Sequence, residues 1–376
     1  MKRLALVSLA LLTLAALPAF VAAQGPDASK PEPTEHSFIL HNFHTESGVV
    51  LPEAKIVYGT YGHLNAAGDN AVLLPSHYMA EMHGYEWLIG GANSGKALDP
   101  SRYFLIATEL FGNGRSSSPS NTPEPFHGPR FPVTTIRDNV EAVHQLLTSG
   151  LGVKHLQAVI GFSMGAQQAF QWAVSYPDFM DHVVATSGTA KTYGHGIARN
   201  ESEITAITTD AAFQGGNYTT EPEKGIQSFS LVWTAWLYGQ EWWRRELWKT
   251  ETPKATLTEV LDNYRTHFIS NADANNLILQ LRTWEQHDVG TTPGFNGNVE
   301  KALASIKAPI LYMPSETDLY FPVGDARYEA QFIPHCTLLP IPSLWGHPAG
   351  AGAGPEDGKF LNEHIAAFLK ESPSQR

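Results

Sequence analysis

The sequence predicts an α/β fold with a mostly parallel central sheet flanked by helices, into which one helical segment is inserted. Three observations predict it. Short apolar runs recur along the chain, helix-like patterns separate them, and one long internal stretch carries helix-like sequence without strand signals. Continuous apolar runs suit strands buried on both faces, and strands alternating with helices give α/β layers. The 376 residues, 43 % of them hydrophobic, suffice for one large core.

The elements follow in order. Met1-Lys2-Arg3 is basic, Leu4 to Phe20 is apolar, and Val21-Ala22-Ala23 places small residues before Gln24. That order predicts a secretory signal peptide over 1–23, and with it a secreted or periplasmic protein. The apolar run is slightly short for a membrane anchor, and no later run is long enough, so no membrane contact is expected after cleavage. Residues 24–35, rich in Pro, Ser and charge, predict a flexible leader. The α/β core is expected over 36–190 and 305–372. Its strands are read at 56–58, 71–74, 103–107, 156–160, 182–186, 309–313 and 337–339, and its helices at 136–148, 165–175, 324–332 and 359–369. Residues 191–304 read as a helical cap holding Trp233, Trp236, Trp242, Trp243, Trp248 and Trp284. Most of these rings are expected to pack the cap onto the core, and some to wall a site.

Composition excludes several functions. A net charge of −12 repels nucleic acid and anionic membranes. The lone Cys336 forms no intrachain disulfide and reads as a small buried hydrophobe. There is no phosphate-binding loop or dinucleotide fingerprint, so no cofactor is expected. His77 and His83 match no common metal spacing and no carboxylate-and-histidine set is expected to accompany them, so no metal is expected either.

Gly161-Phe162-Ser163-Met164-Gly165 lies between the strand ending at Ile160 and the helix over 166–175. A serine there sits on a tight strand-to-helix turn, with glycines relieving the crowding and a helix N-terminus favouring negative charge. This is the nucleophile turn of the α/β-hydrolase fold, which orders its reactive residues Ser, then Asp or Glu, then His. Asp318 follows the strand at 309–313 and His347 follows the next, so both belong at the carboxyl edge beside Ser163. Ser163 is therefore the candidate nucleophile, His347 the base and Asp318 its partner. Glu316 is a rival acid; His335 and His364 are rival bases. An acyl-transfer site also needs two oxyanion donors. The backbone N–H of Met164 is one, and the loop Pro75–Ala80 supplies the other, with Met79 the favoured donor and its neighbour Tyr78 close behind.

The chain also resembles the homoserine O-acetyltransferase family, an acyltransferase branch of this fold. The likeness rests on Tyr58-Gly59-Thr60-Tyr61-Gly62-His63-Leu64-Asn65, Asn70 to Leu73, Ile89-Gly90, Lys96 to Asp99, Arg102-Tyr103-Phe104 and Phe131 to Asp138. It continues through Ser163-Met164-Gly165 with Gln168-Ala169 and Tyr176-Pro177, and Asp318 with Phe321-Pro322. The resemblance implies an acyl-enzyme on Ser163 served by His347 and Asp318, and a homodimer through the cap. Members that acylate homoserine carry an aspartate directly after the histidine; here Pro348 stands there. Phe162 replaces the usual second glycine, and the cap offers no match to the arginine that binds homoserine's carboxylate. These departures count against homoserine. An exported enzyme would rarely meet acetyl-CoA, whereas water is abundant. The expected activity is thus hydrolysis of a small-molecule ester or related acyl bond, with acyl transfer to another alcohol as the alternative. A non-catalytic binding protein on the same fold is the third reading.

Overall fold

The computed structural model describes residues 31–371. The expected signal peptide over 1–23, and residues 24–30 of the expected leader, lie outside the described residues. Eight strands form one sheet: β1 (Thr34–His44), β2 (Val50–Tyr61), β3 (Ala71–Pro75), β4 (Phe104–Thr108), β5 (Leu156–Phe162), β6 (Met180–Thr186), β7 (Ile310–Met313) and β8 (Cys336–Leu338). Their order is β1-β2-β4-β3-β5-β6-β7-β8. β2 runs antiparallel to both β1 and β4; every pair from β4 to β8 is parallel. β3, β4 and β7 are buried at every position, which is why they read as unbroken apolar runs.

β1 lies outside the strands expected from the apolar runs. Its residues are mostly exposed, with only Leu40 and Phe43 buried, so no apolar run betrays it. Thr34 and Glu35, expected to close a flexible leader, instead pair with Thr60 and Gly59 of β2. The backbone ladder, rather than side-chain burial, holds this edge strand.

The helices are α1 (Ile136–Gln145), α2 (Met164–Ser175), α3 (Gly194–Thr208), α4 (Glu223–Leu237), α5 (Gln240–Arg244), α6 (Trp248–Glu251), α7 (Leu257–Asn271), α8 (Ala274–Glu285), α9 (Val299–Ala304), α10 (Val323–Glu329) and α11 (Asp357–Phe368). Thr135 and Asp138 form a reciprocal capping box that starts α1, and its expected extension to residue 148 is a π turn over Leu146–Gly150. No described helix is long and apolar enough to cross a membrane.

Helices α3 to α9 all fall between β6 and β7. Lys191 bridges Asp288 across the neck of this segment, and its Nζ lies 2.8 Å from the Asp288 carboxylate. The buried Glu329 carboxylate accepts the N–H groups of Ala190 and Lys191 and the hydroxyls of Tyr193 and Tyr312, fastening the same neck to β7. Trp242 and Trp284 are fully buried; Tyr238 stacks on Trp242 with ring centroids 3.8 Å apart.

Because β3, β5, β7 and β8 are parallel, their carboxyl ends share one edge of the sheet. In open α/β sheets this is where ligands bind.

Candidate active site

Ser163 directly follows β5 and directly precedes α2, with φ 57° and ψ −125°. Such a backbone strains an L-residue, and its surroundings must over-determine it. Here they do. A Cβ on Gly161 would stand 2.0 Å from the Gly165 carbonyl oxygen, and one on Gly165 would stand 2.3 Å from the Pro75 carbonyl oxygen. The buried Tyr85 hydroxyl clamps the turn from below: it accepts the Phe162 N–H at 2.9 Å and donates to the Pro75 carbonyl at 2.6 Å. Only the flanking glycines allow this approach.

The structure brings the three sequence-predicted residues together. Ser163 Oγ lies 2.9 Å from His347 Nε2, and His347 Nδ1 lies 2.8 Å from Asp318 Oδ2. All three are buried. The other Asp318 oxygen accepts the N–H groups of Tyr320 at 2.8 Å and Phe321 at 3.1 Å, so the carboxylate cannot rotate freely. Aromatic rings enclose the imidazole: the centroids of Phe162, Tyr320 and Phe321 lie 4.9, 4.8 and 5.6 Å from that of His347. Phe162, which replaces a glycine of the acetyltransferase pattern, thus forms part of the wall around the His347 imidazole. In this arrangement Nε2 can take the serine proton while Asp318 stabilises the resulting cation.

The rivals stand apart from this chain. Glu316 and His335 are exposed, and His364 stacks on Phe360. Burial pushes the Cys336 thiol up to about 12, which suits a packed side chain rather than a nucleophile.

Met164 is the first residue of α2, and its N–H finds no acceptor among the described residues. The second expected donor needs a correction. Met79 N–H is already engaged, donating to Gln280 Oε1 at 2.6 Å. Tyr78 N–H, the alternative, makes no hydrogen bond to a described group. Gln280 carried no sequence signal: it is a polar residue inside α8, some two hundred positions from its partner.

An open pocket of about 390 Å³ lies over Ser163 and His347. The loop after β3 lines it with His77, Tyr78, Met79 and Ala80; α4 adds Trp233 and Leu237; α7 adds Tyr264, His267 and Phe268. Among the described residues, no lysine, arginine, aspartate or glutamate lines it. Of the six tryptophans expected to divide between packing and walls, Trp233 is the one that reaches the pocket. Burial, with the nearby His347 adding to it, pulls the His77 imidazole down to about 3, so this ring stays neutral in the pocket. His83 lies elsewhere, its Nδ1 2.6 Å from Glu86. With Glu32 these two offer ligand atoms within 4.8 Å of one another, a carboxylate-and-histidine grouping in which Glu32 and His83 are exposed and Glu86 half-buried, and which sequence spacing did not show.

Residues 82–350 match the family model described as alpha/beta hydrolase fold. The chain belongs to the α/β-hydrolase family. Within this family it is 37 % identical over 330 residues to an ethyl acetate hydrolase of Pseudomonas veronii, spanning 86 % of this chain and 92 % of that one. It is 31 % identical over 329 residues to a homoserine O-acetyltransferase of Trichormus variabilis, covering 85 % and 90 % of the two chains. The crystal structure of the acetyl esterase MekB superposes with a TM-score of 0.85 at 34 % identity, over 90 % of this chain and 97 % of that one. This α/β hydrolase is therefore of the homoserine O-acetyltransferase-like kind, with relatives among both esterases and acyltransferases.

Proposed function

We propose that this α/β hydrolase cleaves small, uncharged carboxylic esters through an acyl-enzyme on Ser163. One observation carries the reading: the Ser163–His347–Asp318 chain opens onto a pocket whose described lining is mostly aromatic and aliphatic and includes no lysine, arginine, aspartate or glutamate. The esterases among its relatives, named for ethyl acetate and acetyl esters, point to a short acyl group.

Ser163 Oγ attacks the ester carbonyl carbon as His347 Nε2 takes its proton. The carbonyl oxygen becomes an oxyanion, met by Met164 N–H at the start of α2 and by Tyr78 N–H from the loop after β3. His347 returns the proton to the departing alkoxide, leaving acyl-Ser163. Water, deprotonated by the same nitrogen, then releases the acid and restores the serine. Asp318 holds Nδ1–H throughout.

The acyltransferase reading draws support from the Trichormus variabilis relative. It requires an acceptor alcohol to outcompete water. An amino-acid acceptor brings an ammonium and a carboxylate; among the described residues the pocket lining offers no aspartate or glutamate for the one and no lysine or arginine for the other, and Pro348 stands where an aspartate would follow the histidine. Turnover of p-nitrophenyl acetate with and without homoserine and simple alcohols, with products resolved by mass spectrometry, separates the two. Acetate as the main product whatever the acceptor supports hydrolysis; acetylated alcohol as the main product refutes it. The Met1–Ala23 segment further leads us to propose export with cleavage before Gln24. Amino-terminal sequencing of protein recovered outside the cytoplasm tests this, and an intact Met1 end contradicts it.

A further inference from the structure

The loop after β3 faces the reacting carbonyl, yet it lacks regular structure of its own. Its Met79 has φ 52°, a left-handed conformation that a methionine adopts only under constraint. Three side chains supply that constraint. Gln168 of α2 donates to the Ser76 carbonyl at 2.8 Å, tying the loop to the nucleophile helix. The Tyr78 hydroxyl donates to the Leu277 carbonyl of α8 at 3.1 Å. One turn further along α8, Gln280 accepts the Met79 N–H at 2.6 Å through Oε1 and donates to the Phe111 carbonyl at 3.1 Å through Nε2. Gln280 is fully buried, and neighbouring Gly112 makes room for it: a Cβ there would stand 3.2 Å from Gln280 Cγ and 2.8 Å from a Leu279 methyl.

We propose that Gln280 is a positioning residue for ester hydrolysis, anchoring the loop through the Met79 N–H so that the preceding Tyr78 N–H points at the oxyanion. The assignment rests on the serine-hydrolase reading above. Physically, an amide is the side chain that fits, because one end must accept and the other donate without introducing charge. An apolar replacement leaves the Met79 N–H unpaired and frees the loop to turn it toward the site, away from the geometry the tetrahedral intermediate needs. Binding of the ground-state ester depends on the apolar walls and is little affected. The device also couples the helical segment to catalysis, since α8 belongs to that segment and Met79 to the sheet edge.

The test compares Gln280→Met and Gln280→Glu with the wild type. For Gln280→Met, kcat on p-nitrophenyl acetate is expected to fall about tenfold or more, a fraction of the effect of removing an oxyanion donor outright, with KM within about twofold. A trifluoromethyl ketone, which forms a tetrahedral oxyanion on the serine, should lose affinity in parallel with kcat. A planar methyl ketone of the same shape should not. Gln280→Glu keeps the acceptor for Met79 N–H and should recover part of the loss; it is read on its own should the Met variant fail to fold. Unchanged kcat in a folded variant, or equal loss of affinity for both ketones, overturns the proposal. So does a rise in kcat, which would mean that Gln280 competes with the substrate for Met79 N–H. Failure of a fluorophosphonate to label wild-type Ser163 would instead sink the hydrolase reading itself, and the Gln280 assignment with it.

Discussion

Replacing Asp318 by asparagine tests the hydrogen-bonded chain at its deepest point, and the structure dictates how the amide must sit. One Asp318 oxygen accepts two backbone N–H groups, from Tyr320 and Phe321, while the other accepts His347 Nδ1–H. The substituted amide has one acceptor end. Turned toward the two backbone donors, it presents its NH2 group to Nδ1, which must then be unprotonated, and the imidazole proton moves to Nε2. In that tautomer Nε2 cannot take the Ser163 proton. Turned the other way, the NH2 group faces two buried N–H groups, each mismatch costing about 1–3 kcal/mol. Losing the carboxylate's attraction for the imidazolium adds to either cost. The total, about 4–5.5 kcal/mol, corresponds to a fall in kcat of roughly 10³- to 10⁴-fold. Initial rates on p-nitrophenyl acetate measure it, with circular dichroism confirming the fold. A folded Asp318→Asn enzyme within about tenfold of the wild type would refute the role given to this carboxylate.

Further outcomes follow from other sites. Gly165→Ala places a Cβ 2.3 Å from the Pro75 carbonyl oxygen and 2.5 Å from the Tyr85 hydroxyl; moving α2 aside should cost about 1–3 kcal/mol of stability and about 100-fold in kcat, read by thermal melting and initial rates. Arg199 and Glu203 form a fully buried ion pair at 2.7 Å, the guanidinium lying 4.2 and 4.1 Å from the Trp284 and Tyr320 ring centroids. Arg199→Met strands the carboxylate and should destabilise the fold by about 3–5 kcal/mol, much of it recovered when Glu203 is also made apolar, as denaturant titration would show. Burial, with Arg137 adding to it, pulls the His287 imidazole down to about 3. The unfolded chain therefore binds the extra proton first, so the stability this group contributes is complete above about pH 6.5 and is lost as pH falls toward 3. Between pH 8 and pH 5 the loss should be about 2 kcal/mol, and a His287→Gln variant should show a correspondingly flatter acid limb in urea titrations.

The core strands were legible because burial on both faces leaves an apolar run, as in Ala71–Pro75 and Ile310–Met313. β1 was not, because an edge strand exposing most of its side chains keeps only its backbone pairing as a signature. Ser163, Asp318 and His347 could be named because each follows a recognisable strand in a fixed order, so local sequence carries their placement. Gln280 could not. Its partners are Met79 and Phe111, and only the folded path of α8 over the sheet edge brings them within hydrogen-bond distance. For the same reason sequence alone left Met79 and Tyr78 undecided: both lie in the right loop, and a distant side chain decides which N–H is occupied.

Acylation of Ser163 is tested most simply by quenching the enzyme within its first turnovers of p-nitrophenyl acetate and mapping the acetyl group by peptide mass spectrometry. The expected result is a single acetylated peptide, modified at Ser163, that decays to free acetate in water and is absent from Ser163→Ala. Turnover without that adduct in Ser163→Ala, or an acetyl group found on another residue that kinetically precedes product, would contradict it.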